Sequence, residues 1–257
     1  MILDEIIKNK EQEIKKSKKN LPLDKFKSNL KKSDRNFKQA ISKKFSLIAE
    51  IKKGSPSRGI INKDFSLEET AKIYGENRNV RAISVLTDYK FFFMAPTCLR
   101  DVRKLSKKPL LRKDFIIEDY QIYEARLFGA DAILLIARIL TKTKIENFIK
   151  IAKKYNMDCL VEIHNEKELE KLPDNVEIIG INNRNLDTLT IDLNTTLNII
   201  KKLPKNKLIV SESGFNTAKD INKVKNKVNA VLIGTSIIKS KDINKKINEL
   251  LKWKLQY

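Results

Sequence analysis

Five charged residues stand where apolar runs stop. Glu50 and Lys52 lie at the end of the run that starts at Phe45. Lys113 follows Pro109–Arg112, Glu162 lies within Asp158–Ile163, and Glu212 follows Leu208–Ser211. Side chains alternate along an extended chain, so Glu50 and Lys52 share one face and Ala49 and Ile51 the other. An acid beside an amine in a partly desolvated site keeps both ionised. Two lysines with two or three glutamates suit proton transfer around an anionic, carbonyl-bearing substrate. His164 follows Glu162 by two and alternation points it to the same side, but a single unaccompanied histidine is read as incidental.

Two further stretches suggest what anion the site holds. "SESGFN" (211–216) and "LIGTSIIKS" (232–240) each set a glycine beside hydroxyl residues just before a helical pattern. Glycine lets backbone N–H groups approach an anion closely, and a helix start adds partial positive charge. As a pair, the two loops predict a phosphorylated ligand.

These residues need a frame that brings them to one rim. Eight short apolar runs read as strands: Leu47–Ile51, Ala82–Leu86, Pro109–Arg112, Ala132–Ile136, Asp158–Ile163, Glu177–Ile181, Leu208–Ser211 and Ala230–Ile233. A helical pattern follows each. Ser66…Glu69 is a capping-box spacing with Gly75 as its stop. Thr143…Glu146 and Asn165…Glu168 repeat the spacing, and Gly129 closes a helix that begins near Glu118. Strands alternating with helices imply parallel βαβ units, and eight of them predict an α/β protein of the (β/α)₈ barrel type, 45–257. A doubly wound open sheet is the alternative. In a barrel, the C-terminal strand ends converge on the active site. Residues 1–44 form an N-terminal helical extension outside the barrel, with a helix over 2–19 and a short one over Leu23–Leu30.

Composition bounds the partners. The 257 residues hold 53 Lys and Arg against 32 Asp and Glu, a net charge of +21. That excess suits nucleic acid, an anionic membrane or an anionic small substrate. Lys-Lys pairs recur throughout, which indicates a general bias that puts lysine on solvated helix faces. Aromatics are only 7% and no nucleic-acid motif is present, so no nucleic-acid partner is expected. No apolar run approaches the roughly 20 residues of a membrane span, and the N-terminus lacks a signal-peptide core. Cys98 and Cys159 have no metal or disulfide spacing. A cytoplasmic enzyme with no metal, as a monomer or weak homo-oligomer, is the expectation.

The segment "LIAEIKKGSPSRG" resembles the signature of the indole-3-glycerol phosphate synthase family. So do "VLTDYKFF", "LLRKDFIIEDYQIYEARLFGADAILLI", "VEIHNE", "IGINNRNL", "VSESG" and "VLIGTSI", in order, over nearly the whole chain. The resemblance implies conversion of 1-(2-carboxyphenylamino)-1-deoxyribulose 5-phosphate to indole-3-glycerol phosphate, without metal or organic cofactor. It implies Lys113 as the general acid of ring closure and Glu162 as acid–base partner in dehydration. Glu50 and Lys52 are the paired charges, with Lys52 near the substrate carboxylate. Asn182 and Glu212 bind and orient. Ser55, Arg184, Ser213, Gly214, Gly234 and Thr235 match ligand-binding positions, several around the phosphate, and Phe115 and Leu134 line the slot for the anthranilate ring. Phosphoribosylanthranilate isomerase, another phosphosugar barrel, should lack the Glu-x-Lys of strand 1 together with the Lys of strand 3. Two positions depart from the family pattern. Phe93-Met94-Ala95-Pro96 replaces small or polar residues, and Gly54 stands where a slightly larger residue is common.

Overall fold

The computed structural model describes residues 2–252. At its centre lie eight parallel strands: β1 Ser46–Ile51, β2 Val80–Leu86, β3 Leu110–Lys113, β4 Ala132–Ile136, β5 Asp158–Ile163, β6 Ile178–Asn182, β7 Leu208–Glu212 and β8 Ala230–Ile233. Each pairs with the next, and β8 returns to β1 with Ile48 beside Leu232. Closure excludes the open-sheet alternative. β3 and β7 run one residue further than predicted, so Lys113 and Glu212 lie in the ladder, opposite Leu86 and Asn182. Paired strands hold these side chains more rigidly than loops would.

Alternation sorts every strand into two faces. Ile48, Leu111, Leu134, Leu160, Ile178, Val210 and Leu232 point inward and pack on one another. Leu47, Ile83, Leu110, Ile133, Val161 and Ile179 point outward, under the helices. Two residues beyond an inward apolar residue comes a rim residue: Glu50 after Ile48, Lys113 after Leu111, Glu162 after Leu160, Glu212 after Val210. The packed interior thus sets the height and direction of the charged layer above it.

The helix signals hold in part. Ser66 Oγ accepts from the Glu69 N–H at 3.2 Å and opens Leu67–Glu76, but Gly75 lies inside its last turn rather than ending it. Gly129, at φ 96°, terminates Asp119–Leu127. Thr141, not Thr143, caps Lys142–Lys154. Asn165 caps a 3₁₀ helix, Glu166–Lys171, instead of an α-helix. Leu23–Leu30 resolves into two 3₁₀ turns, Leu23–Lys25 and Lys27–Asn29.

The N-terminal segment does two jobs. Helix α1, Ile2–Asn20, reaches the C-terminal rim, where Lys10 meets Asp88 and Asp114 just past β2 and β3. The helix Phe37–Ser42 closes the opposite end. Phe37 and Ile41 are fully buried in the barrel interior with Ala82, Ala132 and Ala230. Three alanines on inward positions leave space there, and the two side chains fill it. Part of the first 44 residues is therefore core, against the expectation that all of them lie outside the barrel. Ser33 Oγ donates to Asp131 at 2.6 Å and the Lys38 N–H to Asp158 at 2.7 Å, which pins this segment to the starts of β4 and β5.

Candidate active site

The C-terminal strand ends surround a cavity of about 200 Å³. Lys113, Glu162, Glu50, Lys52, Asn182 and Glu212 all line it, as do Phe115, Leu134, Arg184, Ser213, Gly214, Gly234 and Thr235. Ser55 lies apart, in an adjoining cavity of about 110 Å³ that it shares with Lys52, Phe115 and Arg184 and that Ile2, Leu3 and Ile6 of α1 close.

At the floor, the Lys113 ammonium bridges two carboxylates, Glu162 Oε2 at 2.9 Å and Glu212 Oε2 at 3.1 Å. Burial alone would lower the Lys113 pKa, but Glu162, Glu212 and Glu50 outweigh it and hold the amine protonated well above its ordinary range. The two buried carboxylates do not share this ammonium equally. Burial would raise Glu162 as well, yet Lys113 and His164 keep it ionised, below the usual carboxylate range. Burial pushes the Glu212 carboxyl up, to about 8; Lys113 opposes that rise and the charge of Glu162 adds to it. The two carboxyls are thus pushed in opposite directions, Glu162 down and Glu212 up, on either side of a protonated Lys113. Environments that push neighbouring groups apart in this way assign acid and base roles. Glu50 and Lys52 form a direct ion pair at the cavity wall, as alternation predicted.

Two glycines give the carboxylates room. A Cβ at Gly180 would lie 2.2 Å from Glu212 Oε1, and one at Gly234 would lie 2.3 Å from Glu50 Oε1. Gly180 has no phosphate or turn motif around it that would mark it in the sequence. Gly234 was singled out for a backbone N–H, and the structure adds that its missing side chain is where Glu50 sits.

The loops after β6 and β7 are tied together. Asn183 Nδ2 donates to the Ser211 hydroxyl and to the carbonyls of Glu212 and Ser213, while its Oδ1 accepts from the Thr196 N–H and hydroxyl. This anchors Ser213 and Gly214, which both take positive φ, 68° and 94°. Such backbone is costly for serine and survives only where its surroundings hold it. Arg184 donates to the Leu189 carbonyl at 2.9 Å. Burial and the nearby Arg58 guanidinium pull Arg184 below its ordinary range. Arg58 was not predicted; it lies in the quoted strand 1 segment and lines both cavities.

His164 is not incidental. Its buried ring lies between two carboxylates, Nε2 3.1 Å from Glu162 and Nδ1 3.3 Å from Glu168. Burial lowers its pKa, but both partners outweigh that and raise it to about 9. Phe93 explains the two departures from the family pattern together. It adopts left-handed backbone, φ 58°, and its ring occupies the space beside Gly54. A Cβ at Gly54 would lie 2.5 Å from Phe93 Cδ2 and 2.7 Å from the Gly59 carbonyl.

A closed eight-stranded barrel with an acid–base trio on its rim defines an enzyme of the (β/α)₈ class. Solved structures share the fold. 3-Hexulose-6-phosphate synthase from Salmonella typhimurium superposes with a TM-score of 0.64 at 12% identity, over 82% of this chain and 99% of that one. A chain of the tryptophan synthase complex from Pyrococcus furiosus gives 0.62 at 15%, with the same shares. Closer relationship comes from sequence: residues 3–250 match the family model of indole-3-glycerol phosphate synthase, and the chain belongs to that family. It is 45% identical over 256 residues to the indole-3-glycerol phosphate synthase of Thermoanaerobacter pseudethanolicus, covering 98% of each chain. It is 46% identical over 256 residues to that of Alkaliphilus metalliredigens, covering 97% of this chain and 98% of the relative.

Proposed function

We propose that the protein is a carboxy-lyase of tryptophan biosynthesis that carries out the reaction for which its family is named. It closes the indole ring of 1-(2-carboxyphenylamino)-1-deoxyribulose 5-phosphate, with loss of CO₂ and water. The observation that carries this reading is the Lys113 ammonium held between Glu162 and Glu212 beneath a cavity with both an apolar and a basic wall.

Ring closure turns the substrate's keto oxygen into a hydroxyl, so it needs a proton at that oxygen. Lys113 enters the reaction protonated and supplies it. The new bond breaks the aromaticity of the substrate ring. Departure of CO₂ leaves its electron pair behind and restores it. Loss of water then needs a proton on the departing hydroxyl and removal of a neighbouring C–H proton. Glu162 starts ionised, 2.9 Å from Lys113, and the pair passes protons between the two steps. Lys52, held by Glu50, faces the substrate carboxylate. Asn182 and Glu212 orient the sugar, and Phe115 and Leu134 flank the aromatic ring. Ser213, Gly214, Gly234 and Thr235 receive the phosphate, joined by Arg184, which lines both cavities, and by Ser55 from the adjoining one. Phosphate binding energy spent there holds the reacting end over Lys113.

The test is direct: purified protein plus the carboxyphenylamino substrate should produce indole fluorescence. Absence of product under conditions where a family member turns over would reject the reading.

A further inference from the structure

We propose that Lys10, on the N-terminal helix, is a positioning residue for Lys113: its ammonium locks Asp88 and Asp114 together and so fixes the end of β3. This rests on the reading of Lys113 as a reacting group.

Lys10 is only 3% exposed, and the side chains of Asp88 and Asp114 are completely buried. Its ammonium lies 2.9 Å from a carboxylate oxygen of each, and 2.7 Å from Glu13 on its own helix. Asp88 follows β2, where its Oδ1 accepts from the Phe91 N–H at 2.8 Å. Asp114 directly follows Lys113. The Asp114 oxygen that meets Lys10 also accepts the Phe115 N–H at 2.8 Å. Its other oxygen accepts from the Thr87 hydroxyl at 2.7 Å and from Arg112 at 2.9 Å. Arg112 continues to Glu124 at 2.8 Å and to the Gln121 carbonyl at 2.9 Å. The backbone on both sides of Lys113 is thus clamped through Asp114.

Charge shows why α1 is needed for this. Without Lys10, buried Asp88 would lose its ion pair, and the buried carboxylates of Asp114 and Glu124 would share the single guanidinium of Arg112. A buried carboxylate that loses its partner either takes up a proton or moves to water, and either one loosens the clamp. Lys10 and Arg112 together pull the Asp114 carboxyl down to about 2 against its burial. Lys10 does not line the substrate cavity, so it acts through β3 and not on the substrate. This separates it from Ile2, Leu3 and Ile6, the part of α1 that walls the adjoining cavity.

The experiment compares wild type, Lys10→Met and Lys10→Arg by steady-state kinetics and by hydrogen exchange of the peptide spanning 110–118. Displacing a reacting group by about 1 Å costs up to ~10²-fold, so Lys10→Met should lower kcat at least ~10-fold. KM should stay within about threefold, because the phosphate grip is untouched. Exchange at the Phe115 amide should rise, and Lys10→Arg should recover part of kcat and of the protection. If Lys10→Met fails to fold, Lys10→Met/Asp88→Asn removes one unmatched charge and keeps a capping oxygen, and the same readouts apply. Unchanged kcat, or a rise in KM alone with protection intact, overturns the proposal and leaves α1 as a cover. If wild type makes no indole product, the reading of Lys113 fails, while the exchange result still shows whether Lys10 clamps β3.

Discussion

Gly180→Ala adds one methyl group to the floor of the active site. No positive φ is required at this position, so alanine suits the strand, and the fold should tolerate the change. The obstacle is local. The new Cβ would lie 2.2 Å from Glu212 Oε1, whereas real Cβ contacts essentially never fall below 3.0 Å. The Glu212 carboxyl must therefore retreat by roughly 1 Å, which breaks its 3.1 Å contact with Lys113. A shift of that size in a reacting constellation costs up to ~10²-fold, or about 2.7 kcal/mol in the barrier. We expect kcat to fall by that order in the indole fluorescence assay, with a smaller change in KM. The control is a double-mutant cycle. Glu212→Ala removes the atoms that clash, so adding Gly180→Ala to that variant should cost less than about 0.5 kcal/mol. Wild-type kcat in Gly180→Ala, or the same loss in both backgrounds, would refute the steric reasoning.

Other outcomes follow from the same geometry. Lys113→Met should lower kcat at least ~10²-fold, the usual scale for a lost general acid, while a substrate analogue still binds by calorimetry. The folded-state pKa of His164, raised to about 9, lies above its ordinary 6.5, so the stability it contributes is complete below pH 6.5 and disappears as pH rises through 9. Thermal melts from pH 6 to 10 should therefore fall more steeply in wild type than in His164→Asn, by no more than about 3 kcal/mol; parallel profiles would contradict this. Phe37→Ala should cost about 3–5 kcal/mol in urea unfolding, as for other buried phenylalanines. Deletion of residues 1–44 should abolish a cooperative melt, whereas deletion of 1–20 should keep one.

The strands were legible because each is a short apolar run bounded by turns. The charged rim was legible because period two carries an inward apolar residue to a rim residue two positions on, as from Leu160 to Glu162. What was hidden depends on distance through space. Gly180 looks like any glycine in a strand until Glu212, 32 positions later, is seen to need its space. His164 appeared alone because Glu168, its second partner, looks in sequence like a helix-cap residue. Lys10 is one lysine in a lysine-rich helix, and only docking against Asp88 and Asp114 distinguishes it. Phe37 and Ile41 carry no barrel signal, since the alanines that make room for them are scattered over β2, β4 and β8.

Phe93 and Gly54 belong to different loops, yet neither can be chosen independently. The aromatic ring stands where a side chain on residue 54 would go, and the Gly59 carbonyl crowds the same spot. For anyone building chimeras with relatives, this makes the two loops one transplantable unit. A donor residue at 54 placed against the native Phe93 would collide with it; a small donor residue at 93 placed against the native Gly54 would uncover the hairpin of Gly54–Ser55 and Gly59–Ile60, because the exposed Phe93 ring covers it at residue 54. The same bookkeeping applies over generations. A lineage that enlarges residue 54 first meets the Phe93 ring, so a change at 93 has to come before it or with it.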